Sequence, residues 1–244
     1  MLIVGGTGSI GAVLAKQAAE SGWSVALHGR TEESVAQVIG RIEALQENGA
    51  AFPGDLTLAG AVEKLVDQVG AHFGQIDAVI DCVTGGPSGV VGAFRLTDPD
   101  AYAGLLECSL VHLQRLARAA LPWLQRNGGT LIAFASDAGR FAAPNQTLIG
   151  ASRAAIMGFI RNLALEVARE GIRAHCISPS FVEQTRSFQR IVTQGSDRIE
   201  KARRRAGLGL PTPADIAPLV LFLCGDGARR ITGQVISVNG GLNA

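Results

Sequence analysis

Residues 1–11 read MLIVGGTGSIG: an apolar run followed at once by Gly5, Gly6, Thr7, Gly8, Ser9, Ile10 and Gly11. The run reads as a short strand, and residues 9–21 carry the apolar spacing of a helix, so the glycines form the turn between them. Glycine permits tight φ values and close backbone approach. The helix that follows turns free N–H groups and the positive end of its dipole toward the loop. A strand–glycine loop–helix of this kind is the setting in which a dinucleotide pyrophosphate is held. A turn without a ligand is the alternative, but it does not account for so dense a run of glycines. Gly5, Thr7, Ser9, Ile10 and Gly11 are therefore candidate cofactor contacts.

Outward from this unit, strand-like apolar runs alternate with helix-period segments to the end of the chain. Strands are predicted at 1–4, 24–27, 50–53, 76–82, 130–135, 172–177 and 234–238, and helices at 9–21, 32–48, 58–73, 99–126, 148–170 and 213–224. Gly22, Gly49, Gly74 and Gly171 serve as stop signals. The pattern implies an α/β fold in which one parallel sheet is covered by helices on both faces, a single doubly wound domain over 1–244. The first strand is unusually short, which fits a native start upstream. Two segments break the rhythm: a Gly/Pro/Ser-bearing loop at 84–99 and a long excursion at 179–213. Ligands in open α/β sheets sit outside the carboxyl ends of the strands, so both belong beside a site, the second as a substrate loop or lid. The excursion holds a basic run, Arg198, Lys201, Arg203, Arg204 and Arg205, readable as the solvated face of a lid helix or as recognition of an anionic substrate.

With 22 Lys and Arg against 21 Asp and Glu, no overall field favours nucleic acid or an anionic membrane surface, so the expected partner is a small molecule. No apolar run reaches the roughly 20 residues of a membrane span, and the amino terminus has no secretory pattern. Cys82, Cys108, Cys176 and Cys224 lie apart in apolar segments without a CxxC pair or a Cys/His cluster, which argues against a metal site and fits reduced thiols in a cytoplasmic protein.

Two positions bear on cofactor choice. The second strand ends in His28-Gly29-Arg30, where an arginine suits a 2′-phosphate and a carboxylate would suit a ribose diol, so NADP(H) is expected over NAD(H). Asp55, in Gly54-Asp55-Leu56-Thr57, ends the third strand. It can accept from an adenine amine or cap the helix that follows.

The glycine loop, Asp55-Leu56, the strand at 76–80, the segment 129–139, Gly150-Ala151-Ser152-Arg153-Ala154-Ala155, residues 173–179 and the closing Ile231-Thr232-Gly233-Gln234 with Val238-Asn239-Gly240-Gly241 together resemble the short-chain dehydrogenase/reductase family, in order and over nearly the whole chain. The resemblance implies a Rossmann-like doubly wound fold, a homo-oligomer (tetramer or dimer) and a nicotinamide dinucleotide, with Leu56, Asp81, Pro179 and Val182 among its contacts. The family's catalytic Ser is matched by Ser136. The position of its Tyr holds Ile149, that of its Lys holds Arg153, and that of its Asn on the long helix holds Ser109. Asp81-Cys82-Val83-Thr84 replaces an Asn-Asn-Ala-Gly segment, Ser9 a loop glycine, and Ser180 the glycine after Pro179.

In the family, the Tyr hydroxyl supplies the proton that accompanies hydride transfer. Ile149 cannot, and losing general acid help costs about 10²–10⁴ in rate. Arg153 can hold a ribose but is a poor proton carrier. Candidate substitutes are Tyr102, Asp137 if burial raises its pKa, His175, a substrate hydroxyl, or a water held by Ser136; each of the three side chains also has a plain packing or solvated-loop role. Three functions follow. The first is an NADP(H)-dependent ketoreductase acting on a carbonyl or alcohol, with the proton from water or substrate. The second is a nucleotide-binding homologue without catalysis. The third is a non-redox enzyme similar to halohydrin dehalogenases, which also carry Arg in the Lys position.

Overall fold

The structure is a computed structural model that describes residues 1–83, 85–193 and 197–243; Thr84, positions 194–196 and Ala244 lie outside the described residues. In chain order the elements are β1 (Leu2–Val4), α1 (Ser9–Glu20), β2 (Val25–Gly29), α2 (Glu32–Arg41), α3 (Glu43–Asn48), β3 (Gly49–Pro53), α4 (Ala61–Phe73), β4 (Ala78–Asp81), α5 (Tyr102–Leu106), α6 (His112–Leu124), β5 (Gly129–Phe134), α7 (Thr147–Val167), β6 (Ile172–Pro179), α8 (Arg186–Thr193), α9 (Arg198–Arg205), α10 (Pro213–Cys224) and β7 (Val235–Val238). All strands pair in parallel in the order β3-β2-β1-β4-β5-β6-β7.

The alternation of side chains along each strand builds two cores from continuous apolar runs. Leu2, Val4, Leu131 and Ala133 face α4, α6 and α7 through Leu65, Leu116 and Ile160. Ile3, Ile80, Ile132 and Phe134 face α1 and α10 through Leu14, Ile216 and Val220. Leu131 and Ile132, adjacent in sequence and both fully buried, thus serve opposite layers. Each contributes about 1.5–3 kcal/mol by leaving water.

One expectation needs correction, and two are refined. The helix expected over 32–48 breaks at Ile42, whose extended backbone (φ −121°, ψ 103°) separates α2 from α3. The helix expected over 99–126 begins in a 3₁₀ turn and widens into a π turn at Glu107–Val111 before α6. The excursion after β6 contains α8 and α9. By length and composition α7, with the turn after it, is apolar enough to cross a bilayer, but its buried side includes Ser152 and Arg153 and packs in the core of the sheet.

Candidate active site

The order of strands reverses at β1, which pairs with β2 on one side and β4 on the other, and the carboxyl ends of β1, β4, β5 and β6 open onto one edge. The glycine loop lies at that edge. Gly5 takes φ +70°, and a Cβ on Gly11 would lie 2.7 Å from Gly6 Cα and 2.8 Å from Gly5 O, so the helix enters against bare backbone. Gly8 is the residue before α1 and Ser9 its first, with Thr7 and Ile10 half-buried beside them. The cradle is the kind in which a pyrophosphate meets backbone N–H groups.

His28 holds this loop in place, a role without a sequence signal. Gly5 N–H donates to His28 Nδ1 (3.2 Å), Gly6 N–H to His28 O (2.8 Å), and His28 Nε2 meets Gly54 O at 3.0 Å. With Nδ1 accepting, the ring proton sits on Nε2 and is donated to Gly54. Burial lowers the pKa of His28, with the Gly54 bond opposing, so the neutral ring that this geometry needs is favoured.

Arg30 follows β2 directly and is exposed. Asp55 does not cap a helix as the alternative reading had it. Its Oδ1 accepts from Thr57 N–H (3.0 Å) and Thr57 Oγ1 (2.7 Å), a local turn, while α4 starts only at Ala61 after Gly60. Those two bonds, and then the charge of Arg30, keep the Asp55 carboxyl below its ordinary value. Leu56 is half-buried in the same turn.

Ser136 lies two residues past the end of β5 and caps the 3₁₀ turn at Asp137–Gly139, its Oγ accepting from Ala138 N–H at 3.3 Å. The turn after it lies tight on α7: a Cβ on Gly139 would lie 2.6 Å from Ala154 N, and one on Gly150 would lie 2.6 Å from Ala138 O. Small residues at this crossing bring Ser136 beside the stretch of α7 that carries Ile149 and Arg153. Ile149, with Leu148, packs on Val90, Ala101 and Leu105 from the segment after β4. Arg153 is 4% exposed; burial lowers its pKa, and the nearby charge of Asp81 opposes the shift.

Asp81, at the end of β4, is buried, accepts from Val83 N–H (3.1 Å) and lies 3.4 Å from His112 Nε2. Burial lowers the pKa of His112, but the hydrogen bond and charge of Asp81 outweigh it and the net shift is upward. His112 joins this cluster from another element and was not foreseen. Ser109 lies in the π turn and is buried, with its Oγ donating to Leu105 O at 2.6 Å.

Of the proposed proton sources, Tyr102 bonds Thr97 Oγ1 through its hydroxyl (2.7 Å) and stacks with Phe94. Asp137 is not a solvated loop residue: it is 1% exposed and accepts from Ser178 Oγ (2.9 Å), Ser237 Oγ (2.6 Å) and the Asn239 amide. His175 is fully buried in β6, where burial and then Arg173 push its pKa down to about 4. Because that value lies below the 6.5 of the ordinary ring, the neutral form stabilises the fold fully above pH 6.5 and the stabilisation is lost as pH falls toward 4. Urea unfolding is expected to show up to about 3 kcal/mol of lost stability over that interval, and His175→Leu to flatten the pH slope there. An unchanged slope in the variant would assign the acid sensitivity elsewhere.

A cavity of about 470 Å³ opens at Ser136 and is walled by Phe141, Phe181, Val182 and Phe188, with Lys201 and Arg205 on its rim. Pro179 and Val182 are buried where β6 passes into the segment carrying α8 and α9, and Arg186 N–H donates to Ser9 Oγ (3.3 Å), docking the start of α8 on the glycine loop. The described residues contain no His/Cys/Asp/Glu group suited to a metal, and all four cysteines are free thiols.

A family model described as enoyl-(acyl carrier protein) reductase matches residues 5–243. The 3-oxoacyl-[acyl-carrier-protein] reductase MabA of Mycobacterium tuberculosis (strain ATCC 25618 / H37Rv) is 27% identical over 245 residues, covering 99% of this chain and 92% of its own. A short-chain type dehydrogenase/reductase from Mycobacterium ulcerans superposes with a TM-score of 0.91 at 25% identity, over 99% of this chain and 88% of that one. A 7α-hydroxysteroid dehydrogenase complexed with NADH and 7-oxo glycochenodeoxycholic acid does so with a TM-score of 0.86 at 25% identity, over 98% and 92%. Glycine loop, strand order and these likenesses agree: the chain belongs to the short-chain dehydrogenase/reductase family of oxidoreductases.

Proposed function

We propose that this protein is an NADP(H)-dependent ketoreductase whose site works without a tyrosine general acid. The observation that carries the reading is the glycine cradle, closed to any Cβ at Gly11, on the same sheet edge as Ser136 and its cavity. Gly5, Thr7, Ser9, Ile10 and Gly11 would hold the pyrophosphate, Arg30 the 2′-phosphate, and Asp55 and Leu56 the adenine side. Asp81, Arg153, Pro179 and Val182 would bound the nicotinamide end. When bound, the reduced nicotinamide supplies a hydride to the carbonyl carbon. The C=O π pair moves onto oxygen, Ser136 Oγ–H donates to that oxygen, and a proton from water or a neighbouring substrate hydroxyl completes the alcohol. The buried Arg153 guanidinium on α7 would add positive charge to this side of the site, which favours a developing negative charge. MabA is named for a 3-oxoacyl substrate, and the hydroxysteroid dehydrogenase holds a 7-oxo compound, which supports a carbonyl here. Free cysteines fit a cytoplasmic enzyme, and exposed Leu165 on α7 fits assembly into a dimer or tetramer.

Fluorescence titration tests cofactor choice. Arg30→Ala is expected to weaken NADPH about tenfold or more, the scale of a hydrogen bond to a charged group, with NADH affinity nearly unchanged. Equal losses for both would refute a 2′-phosphate role. Turnover of ketones followed by NADPH absorbance tests the reaction, and binding without turnover of any ketone would favour a non-catalytic nucleotide-binding protein. Ile149→Tyr is expected to raise the rate on simple ketones by at least about tenfold, because a positioned acid is worth about 10²–10⁴. No gain would mean that proton supply does not limit this site.

A further inference from the structure

The basic run of the lid divides once folded, with Arg204 exposed and outside the cavity lining. Arg203 lies over the Phe188 ring and is paired, donating to Glu183 through Nε (3.0 Å) and Nη2 (2.9 Å) and to Glu200 through Nη1 (3.0 Å). It consumes the carboxylates on that side of α9. Arg198, Lys201 and Arg205 fall three and then four residues apart, on one face of the helix, and line the cavity that opens at Ser136. Asp137 is the one carboxylate among the described lining residues, and its oxygens are engaged by Ser178, Ser237 and Asn239. Like charges at helical spacing destabilise the helix that carries them. A bound anion at this face would remove that cost.

The same cavity carries apolar side chains, Phe141, Phe181, Val182 and Phe188, beside polar ones such as Gln146, Ser180 and Ser187. We propose that the substrate is an amphipathic anion, a carbonyl compound whose apolar body lies along these side chains and whose carboxylate or phosphate is held by Lys201 and Arg205. The assignment rests on the ketoreductase reading for the position of the carbonyl at Ser136; the anion site itself rests on the charge distribution of α9. Arg205 offers planar donors for a bidentate contact, and Lys201 a point charge one turn before it.

Calorimetric titration with 5-oxo-5-phenylpentanoate and its methyl ester, with and without NADPH, tests this. The acid is expected to bind at least about tenfold tighter than the ester, with the preference falling to near unity in the Lys201→Gln/Arg205→Gln double variant. The preference should also shrink as salt rises from about 50 to about 500 mM, because the cations are solvent-accessible. Both substituted residues are exposed, so the variant keeps its core. Equal binding of acid and ester, or a preference untouched by the double substitution, would overturn the assignment. Failure of NADPH to bind would instead strike the oxidoreductase reading, while the acid–ester comparison without cofactor still decides on the anion site.

Discussion

Ser136→Ala is expected to lower kcat for ketone reduction by about 10²–10³, the usual consequence of removing one donor from a developing oxyanion. NADPH affinity should stay within about twofold, because a hydroxyl at the carbonyl acts in the transition state and leaves cofactor binding almost alone. The fold should tolerate the change. Ser136 Oγ contributes one long bond, 3.3 Å from Ala138 N–H, inside a turn that Gly139 and Gly150 hold against α7. Steady-state rates on one ketone, with the NADPH dissociation constant measured in parallel, check both halves. A loss under about threefold would place the oxygen's partner elsewhere and leave Ser136 a turn residue.

The neighbouring position answers differently. Asp137→Ala is expected to cost about 3–5 kcal/mol of stability, the scale of removing one partner from a buried charged network. In a chain of this size that lowers the melting temperature by roughly 10 °C. Its carboxylate gathers Ser178 at the end of β6, Ser237 on β7 and Asn239 just beyond it, so the substitution strands donors from the closing strands of the sheet. Asp137→Asn should lose less, since the amide oxygen still accepts from two of them. Thermal unfolding of both variants measures the difference. A loss below about 1 kcal/mol in Asp137→Ala would mean that water satisfies these groups and that the clamp is not structural. On the proposed reading, adjacent residues on one turn separate into chemistry at Ser136 and architecture at Asp137.

The lid gives a parallel separation. Five basic residues between 198 and 205 look alike in sequence, and both a solvated face and anion recognition were open. Arg203 is bound to Glu183 and Glu200, and Arg198, Lys201 and Arg205 line the cavity. Helical spacing alone groups the three, but it does not say which way the helix is turned. Likewise, Asp55 stood equally well as a cap or an adenine acceptor until the start of α4 at Ala61 removed the first.

The sequence by itself determined the alternation of strands and helices, the parallel sheet they build and the site of the glycine loop, because these depend on apolar period and backbone freedom within a few residues. Strand positions such as 172–177 and 234–238 lie close to the observed Ile172–Pro179 and Val235–Val238 for that reason. The tertiary structure alone decided that Asp137 is buried, that His28 braces the loop and that His112 sits on Asp81. Their partners lie 26 to 102 positions away for His28 to Gly54 and Asp137 to Asn239, and no local pattern records which distant groups the folded strands bring to the same edge.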